Sequence, residues 1–504
     1  MDAIFSGIAL ILFLLLLFKL FSSSPTSVNN KKTKGVPPPS PPALPFIGHL
    51  HLFKKPFHHT LSKLSSRYGP VLLLHFGSRR VLVVTSHTLA VECFTKNDLA
   101  FASRPRLASG RFLTYGYTTI GFSPYGPHWR SLRRIVAHEL FSSARLQSLA
   151  DSRAAELKCL LRQLFQERSD KHVFTRVELR PKLFELILNV LMRSIANKRC
   201  GEEKSGRFLD IVRGTFTFSG TSNLRDFLPI LRMFDFIGTR KRLTWLESEW
   251  ESNLQGLIDE QRMLDRDESK KTMIGVMLSL QEEDPEQYTD RFIKALFLSL
   301  IMAGTDTSTA TLEWAMSLLL NHPETLVKAR EELDEQIEHG RLIEENDLPK
   351  LPYLQGIINE AMRLHPATPL LLPHESIQDC ELNGFHVEQG TILLVNAYAM
   401  QRDPEMWGPN ANEFKPERYQ EISTDLSKMM MPFGMGRRRC PGEALAAKLM
   451  GLALGAFIQC FEWERVGKEM VDMEEGLGMS MPKAKPLAAL CKPRPTMIDV
   501  LSAL

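Results

Sequence analysis

The hydrophobic pattern of the chain opens on an apolar run. Residues 3 to 18 are apolar but for Ser6 and Gly7, and the run reaches Phe21 if Lys19 snorkels to an interface. As a helix this run spans about 28 Å, one hydrocarbon core. Beyond it, Val71-Leu72-Leu73-Leu74 and Val81-Leu82-Val83-Val84 read as short strands. After Trp129 the apolar positions take helical spacing, which predicts helices over 144–168, 181–197, 241–265, 290–320 and 323–339. A second strand-like region runs from Thr368 to Leu394, and Ala444 to Phe461 is a further long apolar segment. The pattern predicts a mainly α protein with small β-sheets. Three parts are expected: an N-terminal transmembrane anchor over 1–21, a basic, proline-rich hinge over 22–45, and one catalytic domain over 46–504.

Charge sets the orientation of that anchor. Lys31, Lys32 and Lys34 follow the apolar run while only Asp2 precedes it, so the body is expected in the cytosol. A cleaved signal peptide is the competing reading, but a basic n-region and a clear Ala-x-Ala site are both lacking. Pro37 to Pro45 holds prolines dense enough to stay extended, as a spacer rather than a helix or strand. The whole chain of 504 residues carries a net charge of only +4, which gives no argument for nucleic acid. Seven scattered cysteines fit a reducing compartment better than a disulfide scaffold.

The most chemical stretch is Phe433-Gly434-Met435-Gly436-Arg437-Arg438-Arg439-Cys440-Pro441-Gly442. The arginines and the start of the next helix supply positive potential for a thiolate, and Gly434 and Gly436 let a flat ligand approach the backbone. A buried thiolate facing a planar iron porphyrin favours O–O cleavage. The loop resembles the haem-binding signature of the cytochrome P-450 superfamily, with Phe433, Gly436, Arg438, Cys440 and Gly442 in matching positions. The resemblance implies haem b (iron protoporphyrin IX) with Cys440 as the axial ligand of its iron, and O₂ as co-substrate.

Other motifs follow in the superfamily's order. Ala303-Gly304-Thr305-Asp306-Thr307-Ser308 interrupts an apolar helix with groups that are costly unless paired. It resembles the oxygen-binding motif, which makes Thr307 the proton-network hydroxyl and Asp306 the acid feeding it. Glu360 and Arg363 stand at i and i+3, and resemble the Glu-x-x-Arg pair that closes a structural triad with Arg418 of Pro416-Glu417-Arg418-Tyr419. Trp129 and Arg133 resemble the Trp-x-x-x-Arg pattern, and together with Arg438 and His374 they are implied grips for the haem propionates. His58 and His59, near His49 and His51, have no carboxylate or cysteine at matching spacing for a metal.

No dinucleotide fingerprint or phosphate loop is present, so electrons are expected from NADPH through a partner flavoprotein, an NADPH-cytochrome reductase. Arg130, Arg134, Arg437, Arg439 and Lys448 are candidates for its docking face. The hinge, the Ala-Gly-Thr-Asp-Thr-Ser stretch and Pro373-His374-Glu375-Ser376 resemble the plant endoplasmic-reticulum branch, nearest the isoflavone and flavonoid hydroxylases. The matching substrate regions are mainly apolar: Phe112, Leu113, Tyr115, Phe216, Phe218, Leu298, Met302, Ala303, Pro369, Leu370, Leu371, Leu372, Leu477 and Met479. They favour a lipophilic polycyclic substrate. The expected function is therefore monooxygenation of a lipophilic plant metabolite at the endoplasmic-reticulum membrane. A haem-thiolate isomerase or dehydratase needing no reductase is one rival; a non-catalytic pathway scaffold is the other.

Overall fold

A computed structural model of the chain describes residues 35–167, 172–219, 226–228, 239–264, 272–421 and 429–504. The expected anchor and the basic part of the hinge lie outside the described residues. Val36 bridges to Phe385, and the proline-rich stretch runs extended over the body.

Six helices position the site: α1 (Pro127–Ile135), α2 (Leu179–Ala196), α3 (Glu202–Phe218), α4 (Asp290–Asn321), α5 (Pro352–Leu364) and α6 (Glu443–Cys460). Pro127 starts α1, where a missing N–H costs nothing. Thr289 caps α4 by accepting from Phe292 N. At 32 residues α4 is about 48 Å long and runs through the largest apolar cluster, against α2, α5 and α6. It is continuous over Ala303–Ser308, in line with the single helix expected over 290–320; the polar stretch interrupts the apolar pattern and not the helix itself. The helical hydroxyls there are satisfied by carbonyls one turn back: Thr305 donates to Ile301 O at 2.6 Å and Thr307 to Ala303 O at 2.6 Å.

Most other expected helices shift only at their ends: 239–262, 290–321 and 323–336. The expected helix over 144–168 is two, 143–148 and 150–166, divided at Leu149. Strands β1 (Val71–Phe76), β2 (Arg79–Val84), β3 (His374–Glu375) and β4 (Ile392–Val395) form one sheet in the order β1-β2-β4-β3. Val81 to Val84 and Ile392 to Val395 pair in parallel, and all eight side chains are buried. Such continuous apolar runs are typical of a strand covered on both faces. A three-stranded sheet of 175–178, 488–493 and 461–465 had no clear signal in the sequence. Helix α6 is the one described helix apolar and long enough to cross a membrane, and it is mostly buried within the body.

His365 ends α5 and stacks on Trp314 of α4, with ring centroids 3.9 Å apart and an interplanar angle of 6°. Burial pushes its pKa down to about 3, so the folded chain holds the ring neutral. The unfolded chain binds that proton below about pH 6.5, so stability is present at neutral pH and falls as pH drops toward 3. One pH unit below 6.5 costs about 1.4 kcal/mol from this ring. Urea midpoints measured near pH 7 and 5.5 should fall together with pH, and His365→Phe should flatten part of that slope.

Candidate functional site

The Cys loop is built by local hydrogen bonds. Gly434 N donates to Met431 O at 3.1 Å, and Cys440 N to Phe433 O at 2.9 Å. Gly434 sits at φ +67° with open space where a Cβ would stand. A side chain there would be strained and would project into that space. The sulfur of Cys440 opens on a cavity of about 290 Å³. Burial pushes the thiol pKa up, against the Gly442 N–H, Arg133 and Arg439. The three arginines are not one source of positive potential, as the sequence implied. Arg437 pairs with Asp98 at 2.7 Å and Arg439 with Glu443 at 2.7 Å; only Arg438 lines the cavity.

On the same cavity stand Trp129 and Arg133, one turn apart on α1, with Arg438, His374, Phe433, Gly434 and Gly442. Arg438 lies 4.3 Å over the Trp129 ring and donates to Ala102 O, Ile120 O and Ser123 O. His374 donates from Nδ1 to Phe101 O at 2.7 Å. Burial and then Arg104 hold its pKa well below the ordinary value, so Nε2 is an acceptor and serves a carboxylate only after protonation.

Sequence reading missed Arg104. It lines the cavity, donates to Leu372 O and Pro373 O at 2.8 Å each, and its buried Nε has no partner. Burial, then Arg438, pushes the Arg104 pKa well down; burial, then Arg133, pushes Arg438 down to about 9. Two crowded cations without a counter-charge are costly, and a dianionic ligand relieves them. The only sequence signal was an arginine after Ala102-Ser103, with no spacing to tie it to Cys440.

The open glycine cradle, the sulfur, the orphaned Nε and the uncompensated arginines together fit iron protoporphyrin with two propionates. Gly436 does not face that space: a Cβ there would lie 2.5 Å from Asp98 Oδ1 and 2.6 Å from Phe94 O.

Thr307 and Asp306 are not side by side on one groove, as expected. Thr307, Ala303, Met302 and Leu298 line the cavity, whereas Asp306 does not. Adjacent helical residues point about 100° apart, and Asp306 is buried on a different face. Burial raises its pKa, against the Ser480 hydroxyl, Arg213 and Arg180, and its Oδ2 has no partner. Among expected substrate residues, Leu113, Phe216, Leu298, Ala303, Leu371 and Met479 line the cavity. Phe112, Tyr115, Phe218, Leu370 and Leu477 do not. Leu370 packs against the β-sheet cluster, and Leu477 is 58% exposed at its turn. The resemblance placed these residues in substrate regions, and their shared apolar character does not distinguish cavity from core or turn.

Glu360, Arg363 and Arg418 form one buried network. Glu360 takes two hydrogen bonds from Arg363 at 2.7 Å, and Arg418 Nε approaches it at 3.4 Å. Arg363 also donates to Gln401 O, Ala411 O and Glu413 O.

His58 and His59 do gain a carboxylate: both Nε2 atoms meet Glu475 Oε2, at 2.8 and 3.1 Å. Burial raises the Glu475 pKa, but the two imidazoles outweigh it and hold the carboxyl down at about 2. Burial lowers the His58 pKa, so the permanent cation here is Arg402, stacked 3.8 Å over the Tyr398 ring that both histidines touch. The arrangement is an ion-pair hub joining residues 417 positions apart, with its charge already met. Of the proposed docking cations, Lys448 also pairs with Glu345, which leaves Arg130 and Arg134 as the two exposed ones outside an ion pair among the described residues.

The family model for cytochrome P450 matches residues 38–489. The chain belongs to the cytochrome P450 family. Cytochrome P450 81Q32 of Catharanthus roseus is 50% identical over 478 residues, 94% of either chain. An isoflavone 3'-hydroxylase of Medicago truncatula is 45% identical over 94% of this chain and 95% of its own. The (+)-piperitol/(+)-sesamin synthase of Sesamum radiatum is 43% identical over 99% and 98%. A zebrafish cytochrome P450 solved with abiraterone superposes with a TM-score of 0.72 at 27% identity, covering 87% of this chain and 99% of that one. This P450 is accordingly a monooxygenase-type oxidoreductase, of a family that uses haem iron and O₂.

Proposed function

We propose that this P450 is an anchored enzyme of the endoplasmic-reticulum membrane that oxidises a neutral, lipophilic plant metabolite of flavonoid-like, lignan or terpenoid type. Electrons would come from NADPH through a reductase, and Cys440 would hold the haem iron. The carrying observation is the division of one cavity. Its cations, Arg104, Arg133 and Arg438, gather around the sulfur and propionate end, while Leu113, Phe216, Leu298, Met302, Leu371 and Met479 carry no charge. An ionised substrate would be desolvated there without a partner.

When bound, the haem supplies the one-electron and O₂ chemistry that side chains lack. Residues of the chain do the rest. Arg104, Arg133 and Arg438 would hold the propionate edge, with Trp129, whose N–H donates to Ile120 O at 3.2 Å, backing Arg438 with its ring, and the open space at Gly434 would admit the macrocycle. The apolar wall orients substrate and limits water. Thr307 presents a hydroxyl to the cavity one residue from Asp306, whose raised pKa suits it to hold a proton. Arg104→Gln is expected to leave the fold intact but release haem to apomyoglobin about ten- to a hundredfold faster, since a charged hydrogen bond is worth ~1.5–3 kcal/mol.

Microsomes carrying this chain and a plant reductase test the reading. The reduced carbon-monoxide difference spectrum should show a thiolate-type Soret band. One class from a panel of flavonoids, lignans and terpenoids should then shift the haem spin state. Products are analysed both for added oxygen and for loss of two hydrogens, because the relatives include hydroxylases and a synthase. Absence of the thiolate band from well-expressed protein would overturn the assignment of Cys440.

A further inference from the structure

The segment from Asp98 to Arg104 lies outside every helix and strand, yet it is wired to two sides of the cavity, the Cys loop and the 372–375 stretch. Phe101 O receives His374 Nδ1, Ala102 O receives Arg438 Nε at 2.7 Å, Ser103 O receives Glu375 N at 3.0 Å, and Arg104 reaches Leu372 and Pro373. At its start, Asp98 grips the Cys loop twice. Oδ1 accepts from Arg437 N at 3.2 Å and Oδ2 from Arg437 Nε at 2.7 Å. Arg437 then donates to Tyr125 Oη at 2.8 Å, 5.2 Å from that ring's centre. Gly436, at φ +68°, is what lets Asp98 and Phe94 O approach so closely.

We propose that Asp98 is a positioning residue for Cys440, fixing the register of its loop through the main chain and side chain of Arg437. This rests on the haem-thiolate reading above. The physical need is clear from the loop itself. Gly434 and Gly436 give it wide backbone freedom. Cys440 N to Phe433 O and Arg439 N to Gly436 O close it from within, and Arg133 holds it at Arg439 O at 2.7 Å. The glycine side of the loop is left to Asp98 at Arg437. An outside anchor removes that freedom. Arg437 is suited to the task because, unlike Arg438, it faces away from the cavity. Asp98 therefore sets the depth and angle at which the sulfur meets its ligand, while Arg438 meets the propionates.

The test uses the full chain loaded with haem in microsomes. Asp98→Asn keeps the shape and removes the charge; Arg437→Gln removes the other partner. Each should increase the non-thiolate share of the carbon-monoxide spectrum, move the ferric/ferrous midpoint, and speed haem transfer to apomyoglobin about tenfold. The double variant should be no worse than either single, because the two act as one contact. Asp98→Glu should recover much of the thiolate share. A role in stability alone would reduce yield without moving the midpoint of the loaded fraction. If Asp98→Asn fails to fold, Arg437→Gln, whose side chain is 34% exposed, carries the test. Variants whose midpoint, band share and transfer rate stay within about twofold of the parent overturn the proposal. A parent without a thiolate band would instead overturn the haem-thiolate reading, before any variant is compared.

Discussion

Glu360→Ala is expected to destabilise the chain by ~3–5 kcal/mol and to prevent stable haem incorporation. Both Glu360 and Arg363 are 0% exposed, so the substitution leaves a guanidinium buried with three carbonyl dipoles and the Trp407 ring face but no counter-charge of its own. It also orphans Lys415 N, which donates to Glu360 Oε1 at 3.1 Å, and removes the carboxylate that Arg418 approaches. Three chain segments thus lose their common partner, namely α5, the 401–415 stretch and the turn at Arg418. Losses of this size compare with the whole stability of many domains. Glu360→Gln should do less harm, because it keeps an acceptor and loses only the charge. The measurement is haem per chain with the urea midpoint of the purified protein. Full thiolate-haem absorbance from Glu360→Ala would refute the argument.

Cys440→Ser should act in the opposite way, sparing the fold and removing the chemistry. The hydroxyl replaces the thiol almost isosterically, and the loop's closing bond from Cys440 N to Phe433 O is main chain. Arg104, Arg133 and Arg438 still offer a dianion its partners, so some haem should be retained. The thiolate Soret band should vanish, and turnover should fall by roughly three orders of magnitude or more, ~4 kcal/mol in barrier. A variant that kept both band and turnover would place the ligand among the other six cysteines, none of which forms a disulfide. Of the remaining six, Cys93, Cys200, Cys460 and Cys491 are buried, and none of the six lines the cavity.

What the chain announced by itself was short-range. The helices and strands over 71–84, 179–196, 239–262 and 290–321 follow from the spacing of apolar residues, because each buries a stripe or face set by its own period. The Cys loop, the Glu360/Arg363 pair and the Trp129/Arg133 pair were legible for the same reason: their partners lie within ten residues, one loop or one turn. The superfamily resemblance extended that reading to Arg418, His374 and the order of the motifs. Local spacing also misled where it stood in for orientation. Asp306 and Thr307 are neighbours in sequence but face different sides of α4, and Leu477 shares its apolarity with Met479 but not its place.

Tertiary structure alone decided the rest. It separated Arg437, Arg438 and Arg439 into three partnerships, and it brought Arg104 to the cavity beside Arg438 from 334 positions away, as it brought Glu475 to His58 and His59. A side chain's partner across such distances depends on how helices and sheets pack. Packing is fixed by the sum of many weak apolar contacts and not by any residue's own neighbours in the chain. The identity of the chemistry was therefore written in contiguous motifs, while the charge balance that makes the site work was settled only when the core closed around it.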